Sequence, residues 1–289
     1  MPVTIGLPFY NAEDFLVMAL KSIYAQTYTD WELILMDDGS TDNSMQIVRR
    51  LKDPRIRVYS DGKNKKLAAR LNEIVRLAKY DYIVRMDADD LMSTRRIETQ
   101  MQVFDRHMHL DLVSTGTISI NNELEYFGSR GVAKENITTS ELLKKKGSPL
   151  HASIIGKKSW FLRNPYNESL KIAQDYELWI RSSKQNDFRI KTIPDRLYYY
   201  REENNAKANK ILAAYRNERQ MIKKYGESET NSLLIKSLAK SMAVKFISSI
   251  NREEWLLRRR SSANNGNSEE RETYLNELKI IKNTTLPFT

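Results

Sequence analysis

A chain of 289 residues, 40% hydrophobic and 29% charged, is long enough to bury one large core or two modest ones. It holds no cysteine, which excludes disulfides, zinc–thiolate centres and cysteine nucleophiles, and no apolar run approaches the ~18 residues needed to span a bilayer. The net charge of +10 is weighted toward the residues beyond 200. Without a nucleic-acid motif or aromatics interleaved among the basic residues, that charge points to phosphorylated substrates or anionic lipid, not to nucleic acid.

The chain opens on an apolar run, residues 3–7, ending at Pro8; it lacks the basic n-region and cleavage site of a signal peptide, which predicts a cytoplasmic protein. A helix follows, with Phe15, Leu16, Ala19, Leu20, Ile23 and Tyr24 on one face and Asn11 as its candidate cap. Residues 31–36 predict a second strand, 42–52 a helix stopping before Pro54, and 56–59 an alternating third strand. Leu67, Leu71, Ile74, Val75 and Ala78 define the next helix, and residues 80–86 the fourth strand. Repeated βα units predict an α/β domain with a mainly parallel sheet flanked by helices, which binds ligands beyond the carboxyl ends of its strands. Beyond Asp111 the pattern changes. Residues 112–120 and 154–155 read as strands, 172–185 as an amphipathic helix, and 196–201 as a β segment. Lys144-Lys-Lys146 reads as a solvated helix end, and the chain past 201 as polar and helical, with a loop at 261–268.

Three polar clusters fall at predicted strand ends: Pro8-Phe-Tyr-Asn11, Asp37-Asp-Gly39 and Asp87-Ala-Asp-Asp90. Crowding carboxylates at the mouth of a buried strand is costly through repulsion and desolvation, and a hard divalent cation is the simplest compensation. Taken alone, Asp87-Ala-Asp-Asp90 reads first as an acidic turn, one Asp capping the helix that starts near Ser93.

In order and spacing these clusters resemble glycosyltransferase family 2, inverting enzymes of the GT-A fold. The resemblance spans roughly residues 1–200. It rests on Pro8-Phe-Tyr-Asn11, Leu33-Ile-Leu-Met-Asp-Asp-Gly-Ser-Thr-Asp42, Tyr82-Ile-Val-Arg-Met-Asp-Ala-Asp-Asp90, Pro149-Leu-His151 and Ala173-Gln-Asp-Tyr-Glu-Leu-Trp179. Two departures stand out: the glycine usual after Asn64 is replaced by Lys65-Lys66, and the acidic pair Glu-Asp reads Gln174-Asp175. The resemblance implies a Rossmann-like donor half over 1–112, an acceptor half over 113–200 and, outside the resemblance, a helical extension over 201–289.

By the same resemblance, Pro8, Tyr10 and Asn11 line the nucleotide pocket, Tyr10 stacking on the base, while Asn11 equally caps its helix. Asp38 accepts a hydrogen bond from the base or, with Gly39, only forms the turn. Lys65, Lys66 and Arg70 either approach the diphosphate or form a solvated helix face. Asp89 coordinates Mn²⁺ or Mg²⁺; Asp87, with Ala88 between them, approaches the ribose or a metal-bound water, and Asp90 holds the loop or contacts the donor sugar. His151 is a candidate ligand of the metal, a phosphate or the acceptor, or a structural hydrogen-bonding group. Asp175 is the catalytic base, and Arg201 a candidate to close on the donor. The implied reaction moves a sugar from a nucleoside-diphosphate sugar, UDP before GDP or dTDP, to a hydroxyl of a surface glycan or lipid-linked glycan. Trp255-Leu-Leu-Arg-Arg-Arg260 either lies on the inner membrane face or packs as a helix on the catalytic domain with its arginines exposed. Two rivals remain: a nucleotide-sugar-binding assembly protein without turnover, and an Asp-x-Asp phosphoryl-transfer enzyme, in which the aspartates follow the first strand instead of the fourth.

Overall fold

The structure, a computed structural model, describes residues 1–202, 208–226, 230–249 and 268–288; the Trp255–Arg260 segment and the loop read at 261–268, save its last residue, lie outside them. Its first half is a run of βα units: β1 (Val3–Phe9), α1 (Glu13–Tyr24), β2 (Trp31–Asp37), α2 (Ser44–Arg49), β3 (Ile56–Tyr59), α3 (Lys66–Leu77) and β4 (Tyr82–Arg85). All seven residues of β1 and of β2 are buried, as central parallel strands covered on both faces must be. The two run in register from Val3 beside Trp31 to Phe9 beside Asp37. Leu16, Ala19, Leu20 and Ile23 of α1 pack at helical spacing onto this layer.

The second half holds β5 (Leu91–Met92), α4 (Arg96–Arg106), β6 (Leu112–Ile120), β7 (Tyr126–Arg130), β8 (Lys134–Glu135), α5 (Thr139–Leu143), β9 (Ile155–Lys157), α6 (Lys158–Arg163), α7 (Gln174–Lys184) and β10 (Ile190–Arg201). One sheet runs in the order β3-β2-β1-β4-β9-β6-β10-β5, with β7 beside β6 and β8 beside β10. Strands β3, β2, β1 and β4 are parallel; β9 runs antiparallel between β4 and β6 and joins the halves. The long ladder of the second half, β6 with β10, is again parallel. This is the α/β sheet with flanking helices that the sequence predicts. The helix expected over 42–52 is shorter, because Asp42 and Asn43 bond back to Glu13 instead of entering the helix.

Three further helices follow: α8 (Ala208–Tyr225), α9 (Thr230–Ser249) and α10 (Ser268–Asn283). Helix α8 packs on α7 and α9 on α8, whereas α10 returns to the first half. Lys21 Nζ reaches the Lys282 carbonyl at 2.6 Å, Lys52 N donates to the Pro287 carbonyl at 2.8 Å, and Phe288 forms a β-bridge with Leu51. Tyr274, Leu278 and Ile281 of α10 are buried against Leu91, Ile118, Ile120 and Tyr199.

Candidate active site

At the carboxyl ends of β1 and β2 the chain builds a cross-linked pair of loops. Asn11 does not cap α1. It adopts φ +48°, and its Oδ1 accepts from Thr41 N at 2.8 Å, while Ser44 Oγ and Asp42 Oδ2 take the amides of Ala12 and Glu13. Pro8 lies buried within β1, and Tyr10 on the loop is 50% exposed, its ring open to a stacking partner. Asp37 turns inward: burial works to raise its pKa, but hydrogen bonds from Ser40 and Ser60 hold it below the usual range.

Asp38 is held from the start of α3. Its Oδ1 accepts from Lys65 N (2.7 Å) and Arg70 Nε (2.9 Å), and its Oδ2 from Lys66 N (3.1 Å), which leaves Oδ2 capacity for another donor. Gly39 permits this approach: at φ +78°, a Cβ there would stand 3.0 Å from the Lys63 carbonyl carbon. Lys66 itself is held at φ +72°, a left-handed position within the Lys65-Lys66 pair.

Arg70 is neither solvated nor free to meet a diphosphate. It is 1% exposed, and its five N–H groups are engaged by Asp38, Asp61, Glu73 and the Lys63 carbonyl. It is a positioning residue for Asp38. Lys65 and Lys66 are exposed, and Lys65 pairs with Asp61 and Glu73.

The second cluster follows β4, beside β1. One oxygen from each of Asp87, Asp89 and Asp90 lies within 4.8 Å of the others. Arg85 grips Asp87 with both terminal nitrogens, at 2.7 and 2.9 Å, and Asp87 N donates to Tyr198 Oη at 3.2 Å. Burial and the Asp87 carboxylate push Asp89 up to about 6, against the pull of Arg201 and Arg85. Burial, then Asp89 and Asp87, raise Asp90 well above the carboxylate range. Its Oδ1 accepts from Arg201 N at 2.8 Å, while Oδ2 is buried without a hydrogen bond among the described residues. Three crowded oxygen donors, two of them driven toward the neutral form and one orphaned, fit a hard divalent cation. Asp90 therefore caps no helix, and Ala88 points its methyl into the core.

Arg201 ends β10; its Nε donates to the Asp89 carbonyl and its Nη1 to the Asn121 carbonyl, both at 2.8 Å. His151 stands outside the acidic group, in a 3-10 turn (His151–Ser153). Its Nε2 lies 2.8 Å from Tyr166 Oη, and burial followed by the charge of Arg85 keeps the imidazole neutral. Asp175 lies half-buried in the first turn of α7, after Ala173 at φ +59°. Burial raises its pKa, opposed by the Tyr176 amide and by Arg85. Arg85 thus acts electrostatically on Asp87, Asp175, His151 and Tyr166 together.

The profile of Glycosyl transferase family 2 matches residues 4–170, the stretch that carries both clusters. The chain belongs to glycosyltransferase family 2. A curated relative, "Putative glycosyltransferase EpsE" of Bacillus subtilis (strain 168), is 33% identical over 211 residues, 71% of this chain and 74% of that protein. The Escherichia coli "UDP-Glc:alpha-D-GlcNAc-diphosphoundecaprenol beta-1,3-glucosyltransferase WfgD" is 29% identical over 185 residues, 64% of this chain and 71% of its own length. In fold the chain resembles the mannosyltransferase PcManGT of Pyrobaculum calidifontis, solved with GDP-Man and Mn²⁺. That likeness has a TM-score of 0.62 at 16% identity and covers 97% of this chain and 84% of that one.

The protein is therefore a glycosyltransferase of the GT-A fold, and the phosphoryl-transfer rival is set aside. Three residues around the family 2 site carry no role in the sequence reading: Arg85, Tyr198 and Arg96. Arg96 is fully buried, donates to the Arg85 carbonyl at 3.0 Å, and is lowered to about 10 by burial. A lone arginine inside the apolar run Tyr82-Ile-Val-Arg-Met was the available signal, since a strand interior rarely keeps an unpaired charge.

Proposed function

We propose that this enzyme transfers a sugar, with inversion, from a UDP-sugar to a hydroxyl of a growing surface glycan or lipid-linked glycan. The observation that carries this reading is the convergence of Asp87, Asp89 and Asp90 at the end of β4 with Asp38 at the end of β2, on either side of β1. Tyr10 offers a ring to the base, and Asp38 Oδ2 an acceptor for its N–H. Asp87, Asp89 and Asp90 would hold Mn²⁺ or Mg²⁺, a Lewis acid that offsets charge on the departing diphosphate. Asp175 takes the proton of the attacking hydroxyl; burial, which raises its pKa, makes it a stronger base than a solvated aspartate. The names of two relatives support these choices: WfgD uses UDP-Glc with a diphosphoundecaprenol acceptor, and PcManGT is seen with Mn²⁺. A cytoplasmic location fits such substrates.

The test is release of nucleoside diphosphate from UDP-, GDP- and dTDP-sugars with Mn²⁺ or Mg²⁺. Slow release from a UDP-sugar, lost on chelation and reduced about 100-fold or more in Asp89→Ala, is expected. Asp175→Asn is expected to bind the same donor with unchanged affinity yet fail to transfer. Release that survives chelation in Asp89→Ala would overturn the metal assignment, and preference for another nucleotide would overturn UDP. Donor binding with no turnover under any condition would leave the assembly-protein rival.

A further inference from the structure

Helix α9 is apolar on two faces. Its inward face packs Leu233, Leu234 and buried Val244 on the domain beside buried Ser237 and Ser241, with Arg219 Nη1 donating to Ser241 Oγ at 2.8 Å. Its outward face carries Ile235, Leu238, Met242 and Phe246, which are 66%, 49%, 65% and 66% exposed. At 3.6 residues per turn these four fall within an arc of about 80°, forming one continuous ridge. Soluble helices place their apolar stripe against the core, and a solvent-facing ridge of this kind marks an interaction surface.

The charge pattern identifies what covers it. The helix holds no aspartate or glutamate, and Lys236 and Lys245 flank the ridge on either side, while Lys240 sits on the opposite face. Lys236 and Lys240 also line a cavity of about 320 Å³ with Lys144, Lys145 and Lys146, opposed by Glu218. Packing a second copy of α9 on the ridge across a two-fold axis would set lysines against lysines. An anionic bilayer offers what both parts of this face need: hydrocarbon for the ridge and negative headgroups for the lysines.

We propose that α9 docks the enzyme on an anionic lipid surface, lying in the interface with Ile235, Leu238, Met242 and Phe246 inserted. The placement has a use for the acceptor side. The lysine-lined cavity adjoins α5, which packs on α7, and the charge of Lys145 bears on Asp175 at the start of α7. The same docking would bring lipid-borne acceptors to the half of the molecule that holds the base.

The experiment is flotation of the full chain with phosphatidylcholine vesicles, with and without phosphatidylglycerol. Binding is expected only with phosphatidylglycerol and weakens with salt. Ile235→Ser and Phe246→Ser should each weaken it by about tenfold or more, and Lys236→Gln and Lys245→Gln by roughly fivefold each. These exposed substitutions should leave the melting temperature and donor hydrolysis in solution unchanged, which separates this proposal from the assignment of the reaction. Failure to bind either vesicle, equal binding to both, or binding indifferent to the α9 substitutions would overturn it. So would a ridge substitution that converts a dimer to a monomer in sedimentation velocity, which would make a second copy the occupant.

Discussion

Three non-glycine residues bordering the site, Asn11, Lys66 and Ala173, hold left-handed backbone, at φ +48°, +72° and +59°. Such conformations cost about 1 kcal/mol or more and persist only where surrounding contacts impose them. At Lys66 the imposing contact is visible: the amide must face Asp38 for the carboxylate to be held. Lys66→Gly should therefore raise stability by up to about 1 kcal/mol in a urea titration and leave the Asp38 hydrogen bonds in place. A drop in stability would mean that the lysine side chain contributes more than its backbone costs.

Among the elements, α10 contributes most that the sequence did not disclose. Glu277 accepts from Ser93 Oγ (3.0 Å), Thr94 N (2.8 Å) and Tyr199 Oη (2.8 Å), so one carboxylate ties the last helix to β5, β10 and the turn before α4. Glu277→Ala should destabilise the protein by roughly 2–3 kcal/mol, since it strands three partly buried donors. Calorimetry would register this, and an unchanged melting temperature would show that the tie is dispensable. The βα units were legible because apolar runs such as 3–7 and 31–36 state their own identity. β5 and β8, two residues each, have no periodicity to read and exist only because β10 pairs with them. The three acidic and polar clusters were likewise legible as strings at strand ends. The engagement of Arg70 with Asp38, of Arg201 with the turn at Asp89, and of His151 with Tyr166 was not, because each joins segments that only the folded chain brings together.

At the scale of the whole molecule, the acidic group puts binding in competition with folding. A carboxyl held at about 6, as Asp89 is, takes up a proton more readily folded than unfolded. Its contribution to stability is therefore full below about pH 4 and lost as pH rises through about 6, the reverse of an ion-paired aspartate. A cation that replaces the proton should restore what is lost, so Mn²⁺ is expected to raise the melting temperature more at about pH 7 than at about pH 5, and not at all in Asp89→Ala. An equal shift at both values would sink this account. The clasp of α10 on α1 adds a constraint in time. Helix α1 leaves a ribosome well before part of its cover, through Lys282, 261 residues beyond Lys21, and the strand-like end at Phe288. During synthesis the donor half must wait with that face bare. A chain stalled shortly before residue 268 would have both acidic clusters yet lack the clasp, which makes it a substrate for chaperones before it is an enzyme.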